Sequence, residues 1–493
     1  MTDAGRPDPA PGRGEQLGEA VRLAAKYLDA RVREERERGV TMAYGLVAGG
    51  GLSCAGGGSG HIYRVASMTK SFTAALVLGL RDGLVRSLEP LDLDRTLRSY
   101  LQPVIPAMAR RELRAITVRD ALTMATGLPT DDPWADRLES LGRQEFAVLL
   151  DRDLVTNAGA GTAYEYSNLA YALLGALAEK VTGRTFRDLV HQEILARFGL
   201  SESGLDYRAL PADRLMPGFR RGLDGMRVPE PWQPPGAFSP IGGLLSTVAD
   251  IARWMTVLMS ALPAAEEGWA RIFRDMQQAQ RFYRLEQRPE AVAVESYGYG
   301  LHHRHEPVLG DILYHSGGYP GFGSHMRWHP ASGTGVIVMG NTTYFDAAAP
   351  AREALGRITA AWSATNPAAS PGTTPVAPKA ARPLHPHPVP AEVRERMHQL
   401  ETLIRSWSDA GADAIFSANM DLDMSRAERR ELHARARQRT GEAADAPFEV
   451  EFLSASQARW TVTGPAGTRT VTAKTDPFGL ICAVEVETRS RDE

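Results

Sequence analysis

A hydroxyl and an amine stand three residues apart in Ser67-Met68-Thr69-Lys70. The apolar pattern predicts a helix from Ser67 to Leu80, and on a helix residues at this spacing share a face, within side-chain reach. A lysine held there can take the serine's proton once burial or neighbouring charge lowers its pKa. Lysine is scarce in this chain: Lys26, Lys70, Lys180, Lys379 and Lys474 are the only five among 56 basic residues. Arginine keeps its proton at neutral pH. An amine at position 70 therefore points to a group that has to deprotonate. A plain helix start with a solvated lysine is the competing reading of this motif taken alone.

Two further stretches carry polar groups at useful spacing. Tyr166 and Asn168 are two residues apart, and in an extended loop such residues point to the same side. Asn168 can offer its amide to a substrate or to Lys70, or it can simply cap the helix that follows. Tyr166 is a second candidate base, although its phenol needs a cation beside it to ionise at neutral pH. His315-Ser316-Gly317-Gly318 ends a short strand. Glycine there lets a ligand approach the backbone, and an extended acyl chain can pair along the strand edge. His302, His303, His305, His315, His325 and His329 crowd one region, but of the first three only His303 and His305 share a strand face. Cleft and edge histidines, with no metal, are the expectation.

The order Ser67-x-x-Lys70, Tyr166-x-Asn168, His315-x-Gly317 resembles that of the penicillin-recognising serine hydrolases, most closely the branch of class C β-lactamases, D-peptidases and family VIII esterases. Flanking text agrees: Tyr63-Arg64-Val65-Ala66 and Ser71-Phe72-Thr73-Ala74 around the first motif, Tyr164 to Tyr171 around the second, and Gly242 to Thr247 before a later helix. The resemblance covers roughly residues 15–362. It implies an α/β fold of the β-lactamase/transpeptidase type and a metal-independent enzyme with no cofactor. Ser67 would form an acyl-enzyme. Lys70 would activate it, and Tyr166 would relay the proton to the leaving group and then activate water. Asn168, His315 and Gly317 would bind substrate. The backbone N–H groups of Ser67 and Gly318 would form the oxyanion hole, where the loss of one donor typically costs about 3 kcal/mol. His315 stands where β-lactamases usually carry lysine, and a neutral imidazole anchors a carboxylate less well. That departure favours esters, amides or D-amino-acid peptides over β-lactams. The hairpin before Ser67 is short, which opens that side of the cleft. Trp134, in Pro129 to Trp134, is either a wall of the acyl pocket or plain packing.

The elements that must position these groups come from both ends of one region. A helix over Glu15–Arg38 precedes a strand at Thr41–Val47, a glycine-rich hairpin and a strand at Ile62–Val65. A helical insert is expected over about 81–290, with capping patterns at Thr117/Asp120 and Thr247/Asp250 and helices ending near Gly127 and Gly183. Strands are expected at Tyr297–His303, Ile312–His315, Gly323–Trp328 and Gly335–Gly340, then a helix over 350–362. Hairpin connections predict a mainly antiparallel sheet flanked by helices. Residues 1–14 read as disordered and 363–390, rich in Pro and Ala, as a linker. Residues 391–493 read as a small α+β domain of helices followed by four strands, loosely like a cystatin or nuclear-transport-factor fold.

The chain's 493 residues, 43% hydrophobic and 23% charged, suit a globular protein of more than one domain. A net charge of −3 without a basic run gives no sign of a nucleic-acid or membrane partner. Cys54 and Cys482 form no framework. Without an export signal or an apolar span the expected location is the cytoplasm, which argues against a cell-wall carboxypeptidase. The expected partner is a small ester, amide or short peptide. An acyltransferase or peptide cyclase would use the same acyl-enzyme, and a non-catalytic binding protein on this scaffold is the alternative from another class.

Overall fold

The computed structural model describes residues 13–110, 112–261, 267–287, 292–365 and 388–491. The expected disorder of 1–14 and the linker of 363–390 fall mostly outside them. The strands are β1 Met42–Ala48, β2 Gly51–Gly57, β3 Tyr63–Arg64, β4 Phe219–Arg221, β5 Arg227–Pro229, β6 Leu245–Ser246, β7 Arg281–Gln287, β8 Val292–Tyr297, β9 His302–Glu306, β10 Gly310–Tyr319, β11 Phe322–His329 and β12 Thr334–Gly340. Eight of them make the main sheet, in the order β2-β1-β12-β11-β10-β9-β8-β7, and every pairing is antiparallel.

Side-chain alternation explains the layers. Met42, Tyr44 and Leu46 of β1 join Val336 and Val338 of β12 beneath the helices Arg13–Glu37 and Ala348–Thr365. The intervening Ala43, Val47, Ile337 and Met339 face the opposite way, into the larger core. A strand apolar on both faces can only sit between two covering layers. The second layer contains the helices Thr69–Arg81, Asn168–Thr182 and Val248–Ser260.

Local signals behaved locally. Thr117 and Asp120 form a reciprocal cap, Thr247 caps with Asp250, and Gly183 ends its helix at φ +70°. The helix begun at Thr117 stops at Leu122, well before Gly127. Two expectations need correction. The insert of 81–290 is not wholly helix and loop, because β7 lies within it and forms the far edge of the main sheet. Its charged, half-exposed sequence is that of an edge strand. The single strand expected at Tyr297–His303 is two strands, β8 and β9, broken at Gly298–Leu301. Gly300, at φ +73°, approaches the Lys70 carbonyl so closely that an added Cβ would stand 2.6 Å from it.

After the helices Ala391–Arg405, Asp409–Ile415, Asn419–Asp423 and Arg426–Thr440 comes a separate antiparallel meander, β13 Glu451–Phe452, β14 Gln457–Gly464, β15 Gly467–Thr475 and β16 Ile481–Ser490. Val393, Met397, Leu400 and Ile404 pack on Trp460, Val462, Val471 and Ile481. The small domain docks on the large one. Val155 N–H donates to the Pro477 carbonyl at 2.8 Å, Arg137 pairs with Asp423 at 2.8 Å, and Phe478 meets Trp134 edge-on with centroids 5.7 Å apart. Among the described residues no helix is long and apolar enough to cross a membrane.

Candidate active site

Strand β3 delivers the chain to a single 3₁₀ turn, Ala66–Met68, which runs into the helix Thr69–Arg81. Ala66 is forced to φ +48°, a conformation alanine rarely adopts. The third-motif strand holds this turn. A Cβ on Gly317 would stand 2.4 Å from both the Val65 carbonyl oxygen and Ser324 Oγ, and Ser324 Oγ donates to that carbonyl at 2.7 Å. The close approach that Gly317 permits on this side is thus to the serine-bearing turn. The place of a Cβ on Gly318 is taken by the Tyr344 ring, 2.4 Å away.

Beneath the turn, Arg64 is buried against the Glu139 carboxylate, which also accepts from the Tyr319 hydroxyl at 2.7 Å. This ties β3 to the end of β10. Replacing Glu139 by Gln leaves a buried guanidinium without its counter-charge. The expected loss is about 3 kcal/mol, read as a lowered midpoint in urea with an unchanged slope.

Ser67 is 7% exposed and Lys70 fully buried. Lys70 Nζ lies 2.9 Å from Ser67 Oγ and 2.8 Å from the carbonyl oxygen of Ile241. Burial lowers the Lys70 pKa to about 8, against the opposing pull of Asp132, Asp136 and Asp131. Nζ also lies 5.0 Å from the centroid of the Tyr166 ring. The Tyr166 phenol is driven well above its ordinary value, first by burial and then by the charge of Asp132, while hydrogen bonding with Ser67 pulls the other way. The cation needed for ionisation is nearby, but burial outweighs it, and the resting phenol keeps its proton.

Asn168 is the first residue of its helix, and the cap is Ser167 instead. Its amide donates to the Asp132 carboxylate, not to Lys70, and its Oδ1 is buried with no partner. Asp131 receives the N–H groups of Asn168 and Leu169 at 2.7 and 2.8 Å, yet burial raises its pKa to about 7. Asp136 accepts from the Tyr344 hydroxyl at 2.9 Å and is likewise raised by burial. These three carboxylates escaped the sequence reading. The only signal for Asp131 and Asp132 was the Asp-Asp-Pro inside Pro129 to Trp134, where attention fell on Trp134, and Asp136 lies just beyond that stretch. That ring turns inward, 4% exposed, between Phe238 and Phe478.

His315 is buried. Its Nδ1 lies 2.6 Å from the Ser316 carbonyl and its Nε2 3.2 Å from the Tyr297 hydroxyl. Burial, then His302 and Lys70, depress its pKa well below the usual value, so the ring is neutral. Its ring centroid is 6.4 Å from that of Tyr166. Strand β10 pairs with β9 only over Gly310–Tyr314, so residues 315–319 run on beyond the end of β9. Among the described residues no three of His, Cys, Asp and Glu gather as metal ligands.

Comparison with known proteins places this geometry in context. The chain is 25% identical over 305 residues to an unguisins hydrolase of Aspergillus campestris, a match covering 57% of this chain and 53% of that one. A D-aminopeptidase of Gluconobacter oxydans is 25% identical over 299 residues, covering 57% of this chain and 49% of that one. The chain spans about half the length of these curated relatives. Among solved structures, the octameric penicillin-binding protein homologue from Pyrococcus abyssi superposes with a TM-score of 0.57 at 18% identity, covering 95% of this chain and 94% of that one. A class C β-lactamase mutant gives a TM-score of 0.53 at 16% identity, covering 71% of this chain and 99% of that one. The Beta-lactamase family model matches residues 28–361. Because that match runs through more than half of the chain, and through every residue from Ser67 to Gly318 described above, the chain belongs to the β-lactamase family of serine hydrolases.

Proposed function

We propose that this protein cleaves an ester or amide, short peptides of D-amino acids among them, through an acyl-enzyme on Ser67. The observation that carries the reading is the 2.9 Å approach of Lys70 Nζ to Ser67 Oγ, with the amine brought to a pKa of about 8. Near neutral pH a useful fraction of such a lysine is uncharged and has a lone pair for the serine proton. Ser67 Oγ attacks the substrate carbonyl carbon as its proton moves to Lys70. Tyr166, a neutral phenol at rest, hands a proton to the leaving group and is replenished from Lys70. Water then enters by the same relay in reverse and releases the acid. The N–H groups of Ser67 and Gly318 are the proposed oxyanion donors. The substrate's acyl chain lies along residues 315–319 of β10, and the unpartnered Asn168 Oδ1 accepts a substrate N–H.

The neutral His315 supports a substrate without a carboxylate at that position, which disfavours β-lactams. The name of one relative, a D-aminopeptidase, suggests a peptide substrate. An amine or alcohol in place of water would make the same acyl-enzyme a transferase or cyclase. A fluorophosphonate probe followed by intact-mass analysis tests the reading: one adduct per chain, on Ser67, is expected. An unlabelled but folded chain would leave a binding protein as the better account. A panel of short acyl esters, D-amino-acid amides and a chromogenic cephalosporin, assayed with and without added amines, then identifies the acyl group and its acceptor.

A further inference from the structure

The face of the main sheet opposite Ser67 has its own chemistry. Between β7–β11 and the helix Ala348–Thr365 lies a cavity of about 720 Å³. On β10 the side chains alternate, so His315 faces the serine while Tyr314 and Ser316 face this cavity. Their cross-strand neighbours on β11 are Arg327 and His325, which also line it.

Arg327 is the unusual member. It is 6% exposed, its Nε is buried without a partner, and among the described residues it makes no ion pair or hydrogen bond. The neighbouring carboxylates are engaged elsewhere. Arg304 takes Glu295, Glu286 at 2.6 Å and Glu306 at 2.7 Å, and Glu353 pairs with Arg357 at 2.8 Å. A second guanidinium, Arg352, reaches in from the helix and adds repulsion at Arg327. Burial, opposed by Tyr314 and Glu306 and reinforced by Arg352 and Arg304, depresses the Arg327 pKa to about 10. His325 accepts or donates at Nδ1 with Ser316 Oγ, 2.8 Å away, and its Nε2 is buried without a partner. With Nδ1 accepting from the serine, Nε2 carries a proton and has nothing to give it to. A buried, unpaired guanidinium beside an unused N–H is costly unless something anionic completes it.

We propose that this cavity binds a small molecule bearing an oxyanion, a carboxylate or a phosphate, seated on the Arg327 guanidinium and the His325 Nε2–H, with Arg352 at its mouth. The planar fork of arginine suits either group. The site is separate from the serine chemistry and does not rest on the proposed hydrolysis.

The test is thermal unfolding of the full chain with inorganic phosphate or succinate, against sodium chloride at the same ionic strength. One of the two anions is expected to raise Tm in a saturable way that chloride does not match. Phosphate alone, or succinate alone, identifies the preferred group. Arg327→Met removes an uncompensated charge, so the variant should unfold at a higher temperature than the parent without anion and bind the anion at least about tenfold more weakly. Far-ultraviolet circular dichroism and a cooperative unfolding transition check that the variant is folded. If it does not fold, Arg352→Gln, at an exposed position, should still weaken the anion several-fold. A parent chain that responds to neither anion beyond chloride, or a folded Arg327→Met that responds like the parent, overturns the proposal.

Discussion

Ser67→Ala is expected to lower kcat by on the order of 10⁶-fold, the scale seen when a serine nucleophile is removed from a preorganised site. The fold should survive. Oγ meets Lys70 Nζ at 2.9 Å and the Tyr166 phenol, and the amine keeps the Ile241 carbonyl at 2.8 Å when the hydroxyl is lost. The turn is held by Gly317, Ser324 and the Arg64–Glu139 pair, none of which needs the hydroxyl. Far-ultraviolet circular dichroism and the urea midpoint should therefore match the parent while turnover of the best panel substrate disappears. Turnover close to the parent's would remove Ser67 from the mechanism.

Lys70→Arg is expected to be nearly as damaging, at least about 10³-fold in kcat/KM. The positive charge is kept, but the guanidinium cannot release its proton at working pH. The same argument fixes the pH dependence. A lysine whose folded pKa is about 8 is protonated and inert as a base below that value. With a neutral ester, kcat/KM should rise tenfold per unit from pH 6 to about pH 8 and then level off. The stability sign is also defined. Lys70 is depressed from 10.5 to about 8, so between those values the unfolded chain holds more protons than the native one. This residue's contribution to stability therefore improves as pH rises through that window. A flat profile between pH 6 and 8 would assign the base elsewhere.

The three motifs were legible because each is a short stretch whose chemistry depends on spacing alone. Caps were legible for the same reason: Thr117 with Asp120, Thr247 with Asp250 and Gly183 each settle a helix end with groups a few residues away. Strand β7 was not, because its Arg and Glu residues read as a polar helix until β8 pairs with them. The break at Gly298–Leu301 was hidden in an apolar run, and its cause is the packing of Gly300 on the Lys70 turn, more than two hundred residues earlier in the chain. Trp134 is a packing residue because Phe478, from the far domain, arrives beside it.

Residue types in order along the chain were enough to propose Ser67, Lys70 and Tyr166 as reacting groups, since a candidate nucleophile and its base must be of those chemical kinds whatever surrounds them. Which of them is ionised was settled by folding. Lys70 loses water and drops to about 8, Tyr166 is pushed the opposite way, Asp131 rises to about 7, and Arg327 is enclosed with no ion pair among the described residues. Desolvation depends on every atom packed around a charge, and those atoms come from segments that meet only in three dimensions.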